Sequence, residues 1–544
     1  MAFLKVTVLV WMDILAIYAV STLITYLTDV WKLNYTHAAA IVNVFWGTTA
    51  IMPFTMQYIV DTIMSNHWMV LLSNFAYTLG LGFLTMSTPP FLSGVAGNCN
   101  KYKPECIGIE QRILFYTALT LLAIGLSGHF TSLEKLNEEH KRLSPNNGRG
   151  NFYLGLSVLI LVPLIGAIVI PFIKPWSIRF GITAICSVLA TIIFLTGFNS
   201  NCDEAPRSPL TTVFRVIVAA ASKSFHKCPK DASNLYEVPD QNGQNGRSYK
   251  IPHTPRLRFL DKAAILLPNQ SPQKTSWTLC SVTQVEETKS VVCMIPLCTT
   301  FFLLGVVSSI GNSYFLEQAN RMNRKVGRLS VPLTILIFFR DQAKAQFTNC
   351  YQRMANNNGF SLSNTYTALV GIAVSMLFAV HCCITAAKVE NRRLDVVTRH
   401  GLLYKPNDKI PMSMFWLLPQ FLLLGGLDGI SHNSIGLFFS SQGPASMDRY
   451  MTHFVMVVFG LGTMGNVVSV CLVDKITSRG GNPSWFQDTL NRSRLDKYYW
   501  VLATLSAANF VLYILLAVCY DRKVLRLENV EVPKHNQSVE QSDD

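Results

Sequence analysis

Apolar and polar residues in this chain alternate on the scale of whole helices. Runs rich in Leu, Ile, Val, Phe and Ala are separated by short polar breaks, and each run reaches the roughly 20 residues a helix needs to cross hydrocarbon. Twelve stretches meet that length: 6–28, 38–62, 68–88, 111–130, 152–172, 176–199, 291–315, 328–350, 365–388, 412–440, 449–474 and 498–520. The run at 328–350 is the most polar. Its apolar part ends at Phe339 and continues as Arg340-Asp-Gln-Ala-Lys-Ala-Gln346. That pattern predicts a short helix, or one that is polar where it enters a water-lined cavity.

Between the sixth and seventh runs lies a long polar stretch, which cannot sit in hydrocarbon because its backbone groups would lack partners there. It divides the chain into an N-terminal six-helix bundle (1–199), a central loop (200–290), a C-terminal six-helix bundle (291–520) and a short polar tail (521–544) expected to be disordered. The fold class is therefore an all-α membrane protein with 12 transmembrane helices. An even number of spans places both termini on one side.

Composition sharpens this reading. Half the residues are apolar and only 14% are charged, against about 25% in soluble domains. The net charge of +14 is spread over loops between the apolar runs, which fits a membrane face and excludes a nucleic-acid partner. Twelve Lys and Arg fall in the central loop, which favours a cytosolic placement. The short loops Arg392–Lys409 and Lys475–Lys497, on the other side, are also basic. Sequons at Asn34 and Asn491 fall on that opposite side, those at Asn269 and Asn536 on the loop side. Most of the thirteen cysteines sit in apolar runs as small packing residues. Cys99 and Cys106 share one polar loop and form a candidate disulfide where that loop faces an oxidising side.

Candidate chemistry is sparse. Gly460-Leu-Gly462-Thr-Met-Gly465 matches a dinucleotide fingerprint in spelling, yet it lies inside an apolar run without the βαβ context. Small residues at that spacing instead allow close helix packing in a membrane. His381 beside Cys382-Cys383 does not read as a metal site, because adjacent residues on a helix point to different faces. No P-loop, HExxH or GxSxG is present, so an enzyme reading has no support and no cofactor or metal is called for. Ionisable residues inside spanning runs are costly and mark function. Asp428, at the centre of 412–440 beside Gly425, Gly426 and Gly429, is the foremost of these; Asp13 lies nearer a helix end, where it could snorkel. His129 and His432 read as interior histidines. Asn43 and Trp46, three apart, share a helix face. Trp416, Pro419 and Gln420 are candidate cavity residues, with Pro419 supplying a bend.

Several stretches carry a resemblance. Leu257-Arg-Phe-Leu-Asp-Lys-Ala-Ala-Ile265 and Trp277-Thr-Leu-Cys-Ser-Val-Thr-Gln-Val-Glu-Glu287 in the loop resemble signatures of the plant nitrate transporter/peptide transporter family. This is the plant branch of the proton-coupled oligopeptide transporters in the major facilitator superfamily. Arg207-Ser-Pro-Leu-Thr-Thr-Val-Phe-Arg215, Phe415-Trp-Leu-Leu-Pro-Gln420, Gly443-Pro-Ala-Ser-Met447 and Leu495-Asp-Lys-Tyr-Tyr-Trp500 extend it over nearly the whole chain. Val30-Trp-Lys-Leu33 and the first helix look most like the fifth plant subfamily.

The departures bear on mechanism. Relatives carry Glu-x-x-Glu-Arg/Lys in helix 1, linked to proton coupling; here the stretch reads Leu9-Val-Trp-Met-Asp13-Ile-Leu-Ala-Ile-Tyr18, and the first glutamate of the chain is Glu105. Where helix 4 of relatives often has a base after paired glycines, Phe130 follows Gly128-His129. Asp61 is kept in the helix 2–3 element, followed by Ser65-Asn66. Asp428 stands where relatives have a substrate-contacting glutamate.

The resemblance implies the major facilitator fold and alternating-access transport of a small solute: nitrate, a peptide, or a plant metabolite or hormone. It places substrate among Tyr18, Asn43, Trp46, Trp416, Gln420 and Asp428. Protons are the possible co-substrate, carried by Asp428 and Asp13, with uncoupled facilitation as the alternative. The lipid bilayer is the other partner, in the plasma membrane or in a vacuolar or other endomembrane. The rival class is a transport-inactive sensor or scaffold.

Overall fold

The computed structural model describes residues 2–88, 108–143, 157–196, 208–226, 235–237, 251, 253–266, 277–356, 364–481 and 483–531. Cys99 and Cys106 lie outside them. The fold is helical throughout, apart from two-stranded pairings of a few residues such as Met322–Asn323 with Ile410–Ser413. Among the described residues, ten helices are long and apolar enough to cross a membrane.

In the N-terminal half, α1 comprises Ala2–Ser21 continued by Leu23–Asp29. It is followed by α2 (Tyr35–Thr62), α3 (Asn66–Met86), α4 (Ile109–Leu143), α5 (a π turn Ser157–Leu161 leading into Val162–Phe172) and α6 (Trp176–Leu195). The C-terminal half contains α7 (Val282–Asn312, prolonged by Tyr314–Arg321), α8 (Thr334–Asn356), α9 (Asn364–Arg399), α10 (Leu418–Gln442), α11 (Asp448–Thr477) and α12 (Leu495–Glu531). The two helices that miss the apolar criterion are α5, which is short, and α8, which carries the polar run noted above. Helix α8 stays helical through Arg340–Gln346. Large apolar side chains such as Ile185, Ile192, Val511 and Leu515 remain more than half exposed on the outer surface, as a lipid-facing belt requires.

Several boundaries differ from the sequence expectation: α4 runs on to Leu143 and α9 to Arg399, so Arg392–Arg399, expected in a short loop, is helical. Helix α7 begins at Val282, well before 291, because Ser281 and Gln284 form a reciprocal capping box that satisfies two orphan donors. Pro419 sits in the first turn of α10, where its missing N–H costs nothing, so it starts the helix and does not bend its middle. Helix α12 continues to Glu531, so the first residues of the expected disordered tail are helical.

The loop is more ordered than its polarity suggests. It contains the helix Pro209–Ser222, whose inner face packs Val216, Ala219 and Ala220 against Leu260, Ala263, Ala264 and Val285. Lys223 donates to the carbonyls of Ala263 (3.3 Å) and Ile265 (2.6 Å), and burial pushes its ammonium below the ordinary lysine range. The two signature stretches meet at an ionic node. Lys289 Nζ lies 2.6 Å from Asp261 and 2.7 Å from Glu286. His253 approaches Asp261 at 3.1 Å, and Thr254 donates its N–H and hydroxyl to Glu286. His253, Asp261 and Glu286 are close enough together to ligate a metal, but the lysine ammonium already supplies the cation.

Close helix contacts, one between the halves and one within the C-terminal half, rely on small residues. A Cβ added to Gly460 would lie 2.7 Å from the Gly47 carbonyl, and one on Gly462 would lie 2.7 Å from the Gly305 Cα. The Gly-x-Gly of α11 thus lets α2 approach on one side and α7 on the other, the packing role its sequence indicates. On the face away from the loop (the far side), Arg393 and Glu390 are fully buried and doubly bonded at 2.7 Å. Gln318 donates to the same glutamate, and Asn491 accepts from Arg393.

Candidate functional site

The halves meet in the middle of the bilayer-spanning region at a polar node built from α1, α7, α8 and α10. Tyr18 of α1 donates its hydroxyl to Asp341 Oδ2 at 3.0 Å. Arg340, the preceding residue on α8, reaches Asp341 Oδ1 with Nε at 3.4 Å and Nη2 at 3.3 Å, and donates through Nη1 to Asn312 at 2.6 Å. Asp428 of α10 is buried and accepts from Ser308 of α7 at 2.7 Å. Its backbone carbonyl lies 2.8 Å from His432 Nδ1, and the His432 ring stacks 4.4 Å from Phe459. The glycines around Asp428 serve approach. A Cβ on Gly425 would strike the Arg340 carbonyl and one on Gly429 the Lys344 carbonyl, so α8 and α10 pack backbone against backbone.

Above the node the far side is closed. Thr28 donates to Glu317 at 3.0 Å, Arg321 pairs with Asp29 at 3.5 Å, and Thr334 donates to the Ala167 carbonyl. Asn43 Nδ2 reaches Asn466 Oδ1 at 3.4 Å, and Asn466 in turn donates to the Val306 carbonyl. Below the node α2 and α11 stay packed, Phe54 against Tyr450 and Phe454, while α4 and α10 leave a gap. A cleft of about 430 Å³ opens on the loop side among Gln57, Thr131, Lys135, Gly436, Ser440 and Thr452. Asp428, His432, Gly436 and Ser440 follow at intervals of four on α10, hence along one helix face, which joins the node to the cleft. A Cβ at Gly436 would meet nothing within 4 Å.

Of the residues singled out from sequence, the structure brings Tyr18 and Asp428 to the node. Asn43 is buried in the α2–α11 seal, and Trp46 packs edge-on to Phe45 at 5.1 Å. Gln420 is fully buried, with neither side-chain amide atom partnered among the described residues. Trp416 lies apart: it is 43% exposed in the 3-10 turn before α10, beneath the Arg392 guanidinium at 3.8 Å.

Asp13 is held inside the N-terminal half, and it has a base. His129 Nδ1 lies 2.9 and 3.0 Å from its two oxygens, with Tyr77 packed edge-on to the imidazole at 5.5 Å. The place of a lost helix 4 base is thus taken by the residue before Phe130, and Asp13 is buried and does not snorkel. Sequence reasoning passed over His129 as an interior histidine and left Arg340, Asp341 and Lys344 unassigned. The signal for the latter three was present: three charges within five residues of a spanning helix.

Two helical bundles, sealed on one side of a polar node with a cleft on the other, fit a membrane transporter of small solutes, the class to which the family below assigns the chain. The chain belongs to the POT family, whose model matches residues 67–486. It is 39% identical over 528 residues to Protein NRT1/PTR FAMILY 5.5 of Arabidopsis thaliana, covering 94% of this chain and 96% of that one. It is 31% identical to NRT1/PTR FAMILY 8.1 of the same plant, covering 94% and 91%. An auto-inhibited POT family peptide transporter of solved structure superposes with a TM-score of 0.63 at 14% identity, over 94% of this chain and 96% of that one.

Proposed function

We propose that this protein moves a small anionic or zwitterionic solute, such as nitrate, a short peptide or a plant metabolite, by alternating access, with the cytosol on the loop side. The observation that carries the reading is the continuous α10 face from Asp428 at the sealed node to Ser440 in the open cleft. Solute reaches the node from one side while the far-side contacts block the other. Rocking the halves would exchange those two conditions around a fixed site.

Protons are the proposed co-substrate. Two carboxylates at spanning depth are positioned to carry them, Asp13 against His129 in one half and Asp428 against Ser308 in the other. Protonation of either removes a charge whose partner lies on a different helix, which changes the helix contacts it makes. Uptake in oocytes with verified surface expression tests this, using a pool of nitrate, dipeptides and plant metabolites at acidic external pH. Accumulation should collapse with a protonophore, and Asp13→Asn or Asp428→Asn should lower it at least tenfold. Equilibration indifferent to the protonophore would establish a facilitator. No uptake of any pool member would favour the sensor or scaffold role.

A further inference from the structure

We propose that Arg340 is the anion-recognition centre of the node, built to hold a planar oxyanion (a carboxylate or nitrate), and that Asp341 is an internal stand-in for that anion. The proposal deepens the transport reading above by naming the group of the solute that is read. A guanidinium presents donors in a flat fork that matches a two-oxygen acceptor, with preferred distances of about 2.7–2.9 Å. In Arg340 one arm is satisfied by Asn312 at 2.6 Å. The edge formed by Nε and Nη2 is not well matched. Both donors share the single Oδ1 of Asp341, at 3.4 and 3.3 Å. The other oxygen, Oδ2, accepts from Tyr18 and makes no hydrogen bond to that edge.

Three further observations agree. The Asp341 side chain is 36% exposed while that of Arg340 is 15% exposed, so the acid can leave into water and the base cannot. Lys344, one turn along α8 and exposed, has no hydrogen bond or ion pair among the described residues; it adds positive potential beside the same α10 face. Asp428 lies close enough to act electrostatically on Arg340, and is placed to receive the cationic end of a zwitterion. Displacement of Asp341 by an entering oxyanion also has a mechanical result. Asp341 is the link between Tyr18 in one half and Arg340 in the other, so filling the fork from outside releases a contact between the halves.

The test is ligand-induced thermal stabilisation of the purified full-length protein, with sodium nitrate read against sodium chloride and alanyl-alanine against its C-terminal amide. Stabilisation by nitrate, by alanyl-alanine or by both supports the proposal and says which oxyanion source fits. Arg340→Ala should abolish it, and Arg340→Lys should weaken it at least tenfold, since a point charge lacks the fork. Asp341→Asn should tighten it about fivefold by removing the competitor, an effect a merely structural Asp341 would not give. No stabilisation of either wild type or Asp341→Asn by nitrate or alanyl-alanine overturns the proposal, as does full stabilisation of Arg340→Ala. Unchanged solute uptake by Arg340→Ala would overturn it while leaving the transporter standing. Arg340-dependent binding in a protein that carries nothing would do the reverse.

Discussion

Arg393 and Arg340 are both arginines of the C-terminal half facing a carboxylate, yet the protein holds them differently. Arg393 and Glu390 are fully buried, joined by two 2.7 Å bonds to two different oxygens, and backed by Asn491, Gln318 and the Leu490 carbonyl. Lys289 in the loop node is similar, hydrogen-bonded to Glu286 and the Thr254 carbonyl and ion-paired with Asp261 at 2.6 Å. Arg340 has a long, shared, half-wetted acceptor. A buried charge must have its bonds satisfied or it destabilises the fold. The saturated nodes therefore hold structure together, and the unsaturated one leaves capacity for something not part of the chain. The three buried cations are thus sorted by how completely they are bonded.

That contrast can be broken at several points. Arg393→Met leaves Glu390 buried without its cation and should cost about 3–5 kcal/mol. The readout is loss of the monodisperse peak on extraction, partly restored by adding Glu390→Leu; a single variant as stable as wild type would end the comparison. Lys289→Met brings two carboxylates face to face, and a loss of about 3 kcal/mol is expected, with faster proteolysis between Leu257 and Lys289. Gly460→Leu places atoms against the Gly47 carbonyl and should cost about 1–3 kcal/mol by overpacking. It should also raise labelling of cysteines introduced near Thr28, since the far-side seal loosens. Arg340→Ala should change stability by no more than about 1 kcal/mol, because Asp341 can turn to water, while uptake falls more than tenfold. Trp416→Ala should cost only about 0.5–1 kcal/mol, the worth of an exposed cation–π contact. A shift in uptake KM beyond twofold would bring Trp416 back to the solute path.

The helices were legible because hydrocarbon imposes a length and a polarity on each of them, and both can be counted along a chain. Asp428 was legible for the same reason, as an acid in the middle of an apolar run. Pairings were not. Asp13 and His129 are 116 positions apart, and nothing local to either names the other. Arg340-Asp341 stood out as a polar interruption, but its reading depended on seeing which oxygen each donor reached. Trp416 was placed by its motif, whereas the 3-10 turn of Met414–Leu417 turns it onto the surface. The α7 boundary was missed because Glu286 and Lys289 look like loop residues until Asp261 and Thr254 are brought against them.

The position of Asn491 bears on how the chain matures in the cell. It heads an Asn-Arg-Ser sequon, yet the residue is 2% exposed, its side chain accepting from Arg393 and donating to the Leu402 carbonyl. If the loop side faces the cytosol, as proposed above, this sequon would face the lumen during synthesis. Oligosaccharyltransferase and the folding bundle would then compete for one amide nitrogen. A sugar added there would prevent the Arg393 node from forming, so a glycan on Asn491 would mark chains that had missed assembly, and its absence would mark those that had completed it.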